Sequence, residues 1–378
     1  MKILHIADTH LGYSAYRKTT PEGINQREQD TYNVFSQFID YALETKPDLI
    51  LHSGDLFDAV RPTNRAITFA LQQILRLSKQ GVPFVVIDGN HEHPKLRETG
   101  HIFSIFDHLE HVYPVYNETY QQIPFQINNE TLTIHALPQC VTKETFEAET
   151  KKITLDSKAD YNVLLAHAGI KEIPQFRMNE FNELLLPKAS LKPNFDYIAL
   201  GHFHTYTQVG DNAWYPGSPE RFTFADAHDA KGFIETELDK KRSHRFIEIK
   251  TRPMTDAAPI PCAGLSLQEI MNTITHTIQE IKPEEKILRI RLENISSQLY
   301  RSLDFRTIKD LCRTSVHFEI KPNIISHEEI QHQGTSRIGA LVSEFEKFLD
   351  SENVTEKEIL RKLGIHYLEK ITTKDEDL

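Results

Sequence analysis

Only three cysteines occur in 378 residues, Cys140, Cys262 and Cys312, scattered with no CxxC pair. That excludes a disulfide framework and a thiolate zinc site, and it fits a reducing compartment. Tryptophan is nearly absent, with a single residue, yet 21 phenylalanines and 39% hydrophobic residues supply enough apolar surface for a buried core. Excess positive charge is also missing, the formal net charge being −11. A surface that grips nucleic acid over its whole extent is therefore excluded, because neutralising phosphates needs clustered Lys and Arg. Any DNA contact has to be local, metal-mediated or shared with a partner. No apolar run approaches a membrane span, and the chain passes from Lys2 through a short apolar run to Asp8 with no signal-type region. The expected setting is the cytoplasm, without a membrane.

What is present is alternation. Short β-rich runs at Ile3 to Ala7, Leu49 to Ser53 and Val82 to Ile87 are separated by helical stretches at Asp30 to Leu43 and Arg65 to Leu77. Apolar stripes at Val34, Phe38, Tyr41 and at Ile67, Leu71, Ile74 give each helix one face to lay on a sheet. After about residue 110 strands dominate, with turns at Asn128-Asn129 and Asp211-Asn212 and closing strands at Gly232 to Leu238 and Ser243 to Lys250. The predicted fold class is α/β, an α+β sandwich of two mixed β-sheets flanked by helices.

Three prolines and little periodicity make Pro253 to Gly264 read as a linker. Ser266 and Glu269 have capping-box spacing and open a helix striped with Ile270, Ile274, Ile278 and Ile281. A strand at Ile287 to Leu292, a helix at Leu303 to Cys312 and a strand at Val316 to Ile320 follow. The expected organisation is a main domain over 1–252, a small α/β capping domain over 264–324, a linker over 325–336 and a helical pair over 337–371. The first of the pair carries Ile338, Leu341, Val342 and Phe345; the second opens at a Thr355/Glu358 capping box and carries Ile359, Leu363, Tyr367 and Ile371.

Five short segments put oxygen and imidazole side chains directly after apolar runs: Asp8-Thr9-His10, Gly54-Asp55-Leu56-Phe57-Asp58, Gly89-Asn90-His91-Glu92, His167, and Gly201-His202-Phe203-His204. Singly each has an ordinary reading as a turn, a solvated loop or a core histidine. Together they supply the ligands that a pair of divalent cations requires, with Asp55 as the shared bridge. Carboxylate, amide and imidazole without thiolate favour manganese or iron over magnesium or structural zinc.

The order DTH, GDLFD, GNHE, a lone His and GHFH resembles the calcineurin-like metallophosphoesterase superfamily. LGY after DTH, Arg61-Pro62 after GDLFD, and Arg27-Glu28 in the first loop resemble the double-strand-break repair nucleases of the meiotic-recombination-eleven type, whose bacterial counterpart is SbcD. The likeness covers residues 1 to about 235; beyond, it rests on domain order. It implies Asp8, His10, Asp55 and His204 on one metal and Asp55, Asn90, His167 and His202 on the other, both manganese, with His91 as general acid to the leaving oxygen. It further implies a Mn2+-dependent DNA exonuclease or endonuclease at the nucleoid, a homodimer through the helical stretches 65–77 and 102–109, whose apolar stripes suit core packing just as well, and an ABC-type coiled-coil ATPase of the Rad-fifty kind docked on the helical pair. Asp58 stands where some members carry histidine, which leaves it a role in orienting a ligand.

Two other readings stay open. The metal chemistry serves a small-molecule phosphodiesterase or phosphatase equally, and a scaffolding subunit of the ATPase complex needs no chemistry at all. Lys188, Lys192, Arg221, Lys231, Lys240, Lys241, Arg242 and Arg245 are the candidates for local basic patches.

Overall fold

The computed structural model describes the chain except for residues 177, 179–181, 240–242, 326–344, 347, 351–356 and 366–378. The first half runs β1 (Lys2–Ile6), α1 (Gln26–Thr45), β2 (Leu49–Ser53), α2 (Asn64–Lys79), β3 (Phe84–Ile87), β4 (Val112–Val115), β5 (Gln121–Ile127), β6 (Glu130–Leu137), α3 (Lys143–Lys151) and β7 (Tyr161–His167). It continues through β8 (Gly169–Ile170), β9 (Leu185–Leu186), β10 (Tyr197–Gly201), β11 (Thr207–Gln208), β12 (Ala213–Tyr215), β13 (Gly232–Glu237) and β14 (Ser243–Glu248).

These strands build two six-stranded mixed sheets, ordered β14-β13-β1-β2-β3-β4 and β11-β12-β10-β7-β6-β5. β1 to β4 pair in parallel, with β13 antiparallel to β1 and β14 antiparallel to β13 at the edge. In the second sheet β6, β7, β10 and β12 are parallel and β5 and β11 antiparallel. Successive residues of a strand point to opposite faces, so strands covered on both sides must be apolar throughout. Ile3, Leu49, Leu51 and Val85 of the first sheet meet Leu132, Ile134, Val163 and Leu165 of the second in a common core. Leu4, Ile6, Ile50 and Phe84 turn outward onto Phe35, Phe38 and Ile39 of α1 and Ala70, Ile74 and Leu77 of α2. Leu164, Ala166, Ile198 and Leu200 pack instead against Phe146 of α3 and Phe195. The α/β sandwich expected from the sequence is the fold.

Local signals set the element ends. Asn25 caps α1 by accepting from the Arg27 and Glu28 amides, so the helix starts earlier than its apolar stripe. Asn128 and Asn129 take φ of 51° and 65° in the β5–β6 turn. The helix expected at Ile102 to Leu109 is only a 3-10 turn over Ile102–Phe106, because Phe103 and Phe106 plug into the core rather than forming a stripe. The stretch read as a linker holds two short strands, β15 (Met254–Asp256) and β16 (Ile260–Pro261), which find parallel partners on β17 (Ile287–Ser296). α4 (Leu267–Ile281) opens on the predicted capping box, Glu269 N donating to Ser266 Oγ and Ser266 N to Glu269 Oε2. The helix expected at Leu303 to Cys312 is α6 (Phe305–Leu311), preceded by a further short helix, α5 (Ser297–Ser302), and followed by β18 (His317–Ile325).

The chain divides into two compact units. One comprises Met1–Ala258, Ile274–Ile290 and Phe305–Ile320; the other holds the described parts of Pro259–Thr273, Arg291–Asp304 and Lys321–Leu378. Of the expected helical pair, Ile338, Leu341, Val342, Thr355, Tyr367 and Ile371 lie outside the described residues.

Candidate metal centre

The five ligand segments all follow the C-terminal ends of strands. Asp8 and His10 come after β1, Asp55 after β2, Asn90 and His91 after β3, His167 ends β7, and His202 and His204 follow β10. Parallel β1, β2 and β3 in one sheet and β7 and β10 in the other deliver these ends to the same rim. The backbone there is strained: Asp8, His10, Asp55 and His202 have φ of 53°, 43°, 53° and 98°. Gly201 is required for a different reason, since a Cβ on it would stand 1.9 Å from the Ser53 carbonyl oxygen.

Every expected metal ligand is drawn into one buried cluster. Asp55 Oδ2 lies 3.3 Å from His167 Nε2 and 3.8 Å from His10 Nε2, which puts Asp55 between the two ligand groups. Asn90 Oδ1 is 3.0 Å from His167 Nε2 and 3.2 Å from His202 Nδ1. His10 Nε2 and His204 Nε2 face each other at 3.3 Å. Several of the second polar atoms are held by the backbone. Ser53 O accepts from His167 Nδ1 at 2.7 Å, Asp8 Oδ1 accepts from the His202 amide at 2.9 Å, and Asp55 Oδ1 from the His91 amide at 3.0 Å. Second atoms fixed in this way aim the first ones inward, as metal ligands require.

The electrostatics fit a divalent cation pair. Burial pushes the Asp8 carboxyl up to about 6, partly offset by His167. Burial also works to raise Asp55, yet the charge and hydrogen bond of His167, with His91 and His10, hold it well below the usual carboxylate range. His167 resists its own burial and rises to about 10 because Asp55 and Asp8 surround it. A proton on His167 Nε2 thus does electrostatically what a divalent cation would do there, and a cation binding to these atoms must displace it. Imidazole nitrogens pressed together, such as those of His10 and His204, also call for a cation or proton between them. The residues present therefore suit two divalent metals.

His91 is the most exposed of these side chains, about 29%, its ring edge-on to His10 at 4.5 Å and one of its nitrogens close to those of His10 and to a carboxylate oxygen of Asp55. Its Nδ1 donates to the Asp58 carbonyl oxygen at 3.2 Å. Asp58 Oδ1 is 3.2 Å from His10 Nδ1, so Asp58 braces both histidines.

Three supporting residues escaped the sequence reading. Glu183 Oε1 accepts from His202 Nε2 at 2.9 Å, fixing the tautomer that frees Nδ1. Lys231 is buried, its Nζ donating to the His204 carbonyl oxygen at 2.9 Å and to Ser218 Oγ at 3.2 Å. Glu92 Oε1 accepts from the amides of Gly89 and Leu56, tying two ligand loops together, and burial beside Asp55 and Asp88 drives its pKa well up. No spacing rule pairs Glu183 with His202 or Lys231 with His204. The placement of Lys231 also corrects its reading as part of a basic patch: it faces inward. Arg221 is tied to Thr251 and to the Asp229 carbonyl, and Arg245 to Glu235, while Lys240, Lys241 and Arg242 lie outside the described residues.

Comparison with known proteins agrees with this geometry. Residues 1–206 match the model of the calcineurin-like phosphoesterase family. The chain belongs to that family, whose fold implies a dinuclear divalent-metal site. Among curated proteins it is similar to the "DNA double-strand break repair protein Mre11" of Saccharolobus solfataricus, 33% identical over 205 residues, covering 54% of this chain and 50% of that protein. The protein of the same name from Sulfolobus acidocaldarius is 25% identical over 344 residues, 87% of this chain and 84% of its own. That from Methanococcus maripaludis is 31% identical over 243 residues, 61% and 60% of the two chains. The chain spans about half the length of the first of these relatives. Among the described residues no helix is long and apolar enough to cross a membrane.

Proposed function

We propose that this chain is a manganese-dependent DNA nuclease of double-strand-break repair. The observation that carries the reading is the convergence of Asp8, His10, Asp55, Asn90, His167, His202 and His204 on one rim, with the more exposed His91 beside them. When bound, a pair of divalent cations supplies Lewis-acid stabilisation of phosphoryl charge and acidifies water. Asp55 holds the two ligand groups in one frame. His91, its Nδ1 held by the Asp58 carbonyl, carries a proton to the leaving oxygen. Asp58 keeps His10 and His91 in register. The mixed donor set without thiolate favours manganese.

The relatives' names support DNA as substrate. In the same reading residues 1–252 form the nuclease domain, 264–324 a cap, 325–336 a linker and 337–371 a docking segment for a coiled-coil ABC-type ATPase, which supplies positive charge that this acidic chain lacks. The nuclease acts as a homodimer at the nucleoid. Incubation with linear duplex DNA and with bis-p-nitrophenyl phosphate, each with manganese, magnesium or EDTA, tests it. Manganese-dependent DNA loss, absent in Asp55→Ala, is the expected result. Turnover of the small ester with DNA left intact, even with the ATPase added, would refute the reading in favour of a small-molecule phosphodiesterase.

A further inference from the structure

Three residues past Asn90 the chain builds a second cluster. Asp88, fully buried, offers Oδ2 to His93 Nδ1 at 2.6 Å and to His101 Nε2 at 2.9 Å, while its Oδ1 accepts from the Gln139 amide. By composition it could pass for a third metal site. The tautomers say otherwise: His101 Nδ1 accepts from the Phe103 amide at 3.1 Å, so its Nε2 bears the proton that goes to Asp88. That nitrogen has no lone pair for a cation.

His93 has one atom unaccounted for. With Nδ1 committed to Asp88, its Nε2 is buried and has no hydrogen-bond partner, and His93 is only 6% exposed. An unmatched buried polar atom is costly unless a ligand meets it. His93 lines a cavity of about 620 Å³, within the size range of small-ligand sites. Lys95 stands on the same wall, and α3 begins there with Thr142 as N-cap and Thr145 in its first turn, where helix amides favour an anion. The Tyr116 ring lines the cavity, and Glu118 presents a carboxylate whose Oε2 is held by the Val141 amide. Cationic and helix-terminal groups suit a phosphate, an aromatic face suits a base, and a carboxylate suits an exocyclic amine or sugar hydroxyl.

We propose that this cavity is a nucleotide subsite, taking one nucleoside monophosphate unit, either from a strand engaged at the neighbouring metal centre or as the mononucleotide released from it. The proposal rests on the nucleic-acid reading above, but its test does not depend on cleavage. Binding of dAMP and of inorganic phosphate to the full chain is measured calorimetrically in EDTA, so that no divalent cation at the metal centre can hold the phosphate. Wild type and Asp55→Ala should bind dAMP alike, and more tightly than inorganic phosphate. Lys95→Glu and His93→Gln should weaken dAMP by about ten-fold or more, with manganese-dependent turnover of bis-p-nitrophenyl phosphate within about two-fold of wild type in Lys95→Glu. If His93→Gln fails to fold, Thr145→Val takes its place. Competition by a single-stranded oligonucleotide assigns the subsite to the strand; absence of competition assigns it to the released nucleotide. No dAMP binding, binding indifferent to the variants, or equal affinity for phosphate and dAMP would each overturn it. Protein that binds dAMP yet leaves duplex DNA intact with manganese, even with the ATPase added, keeps the subsite and refutes the nuclease reading.

Discussion

Two Asp–His clusters lie side by side on this rim, and they are built to opposite ends. At the metal centre the backbone takes the outer atoms, Ser53 O on His167 Nδ1 and the His91 amide on Asp55 Oδ1, so the inner atoms converge around a proton on His167 Nε2 that a cation could replace. At Asp88 the histidines turn their protons onto the carboxylate, which closes the cluster and needs none. Residue type is the same in both; which nitrogen the backbone occupies decides the chemistry. The comparison teaches that a count of His and Asp in a sphere is a poor guide to metal binding until the tautomers are read.

The largest effect expected on either side of that contrast follows from Asp55→Ala. Removing the carboxylate between the ligand groups should lower manganese-dependent turnover of bis-p-nitrophenyl phosphate by about a thousand-fold or more, measured at saturating metal. Next comes His91→Ala, which should cost about 10²- to 10⁴-fold in DNA cleavage while metal content by elemental analysis stays that of wild type. Loss of bound metal in that variant would instead make His91 a ligand. Glu183→Gln, which alters only the partner of His202 Nε2, should weaken manganese binding by about ten- to a hundred-fold, read by metal titration. Asp88→Asn is the counterpart in the closed cluster: it should leave metal affinity unchanged and cost about 1–3 kcal/mol of stability from the disrupted buried hydrogen bonds, read by denaturant unfolding.

A gentler test uses pH. In the metal-free protein His167 titrates near 10 and Asp8 near 6, both above their ordinary values. Protonation therefore stabilises the metal-free fold. The His167 contribution is full below about 6.5 and fades as pH rises toward 10; the Asp8 contribution is full below about 3.8 and is gone above 6. Because the same protons must leave when a cation binds, manganese affinity should rise with pH from 6 to 9, with proton release detectable in weakly buffered titrations. Affinity flat across that range would mean that His167 is not displaced of a proton by the metal.

Much of this was legible in the sequence because the relevant periods are short. A Gly-Asp or Gly-His step after an apolar run marks a strand end whose next residue can bear a functional side chain, and Asp8 with His10, or His202 with His204, are close enough in the chain to act together whatever the fold. The two sheets followed from βαβ alternation in the same way. Glu183 and Lys231 were not legible, since each acts through a neighbour that is distant in sequence or reached by a backbone atom, whereas Asp58, expected to orient a ligand, does lie 3.2 Å from His10 Nδ1. Phe103 and Phe106 misled in the other direction, because apolar spacing cannot distinguish a helix stripe from two aromatic plugs.

The sequence by itself determined the strands and helices of the sandwich and which carboxylate, amide and imidazole side chains stand on the loops of the candidate centre, because these depend on residue chemistry and on spacings of a few positions. Only the tertiary structure decided which atoms of those ligands turn inward, that Lys231 is a buried brace rather than a surface cation, and that Asp88, His93 and His101 form a hydrogen-bonded wall instead of a third cation site. Those outcomes depend on backbone carbonyls and amides brought together from far along the chain, and hydrogen-bond direction is fixed only once both partners are in place.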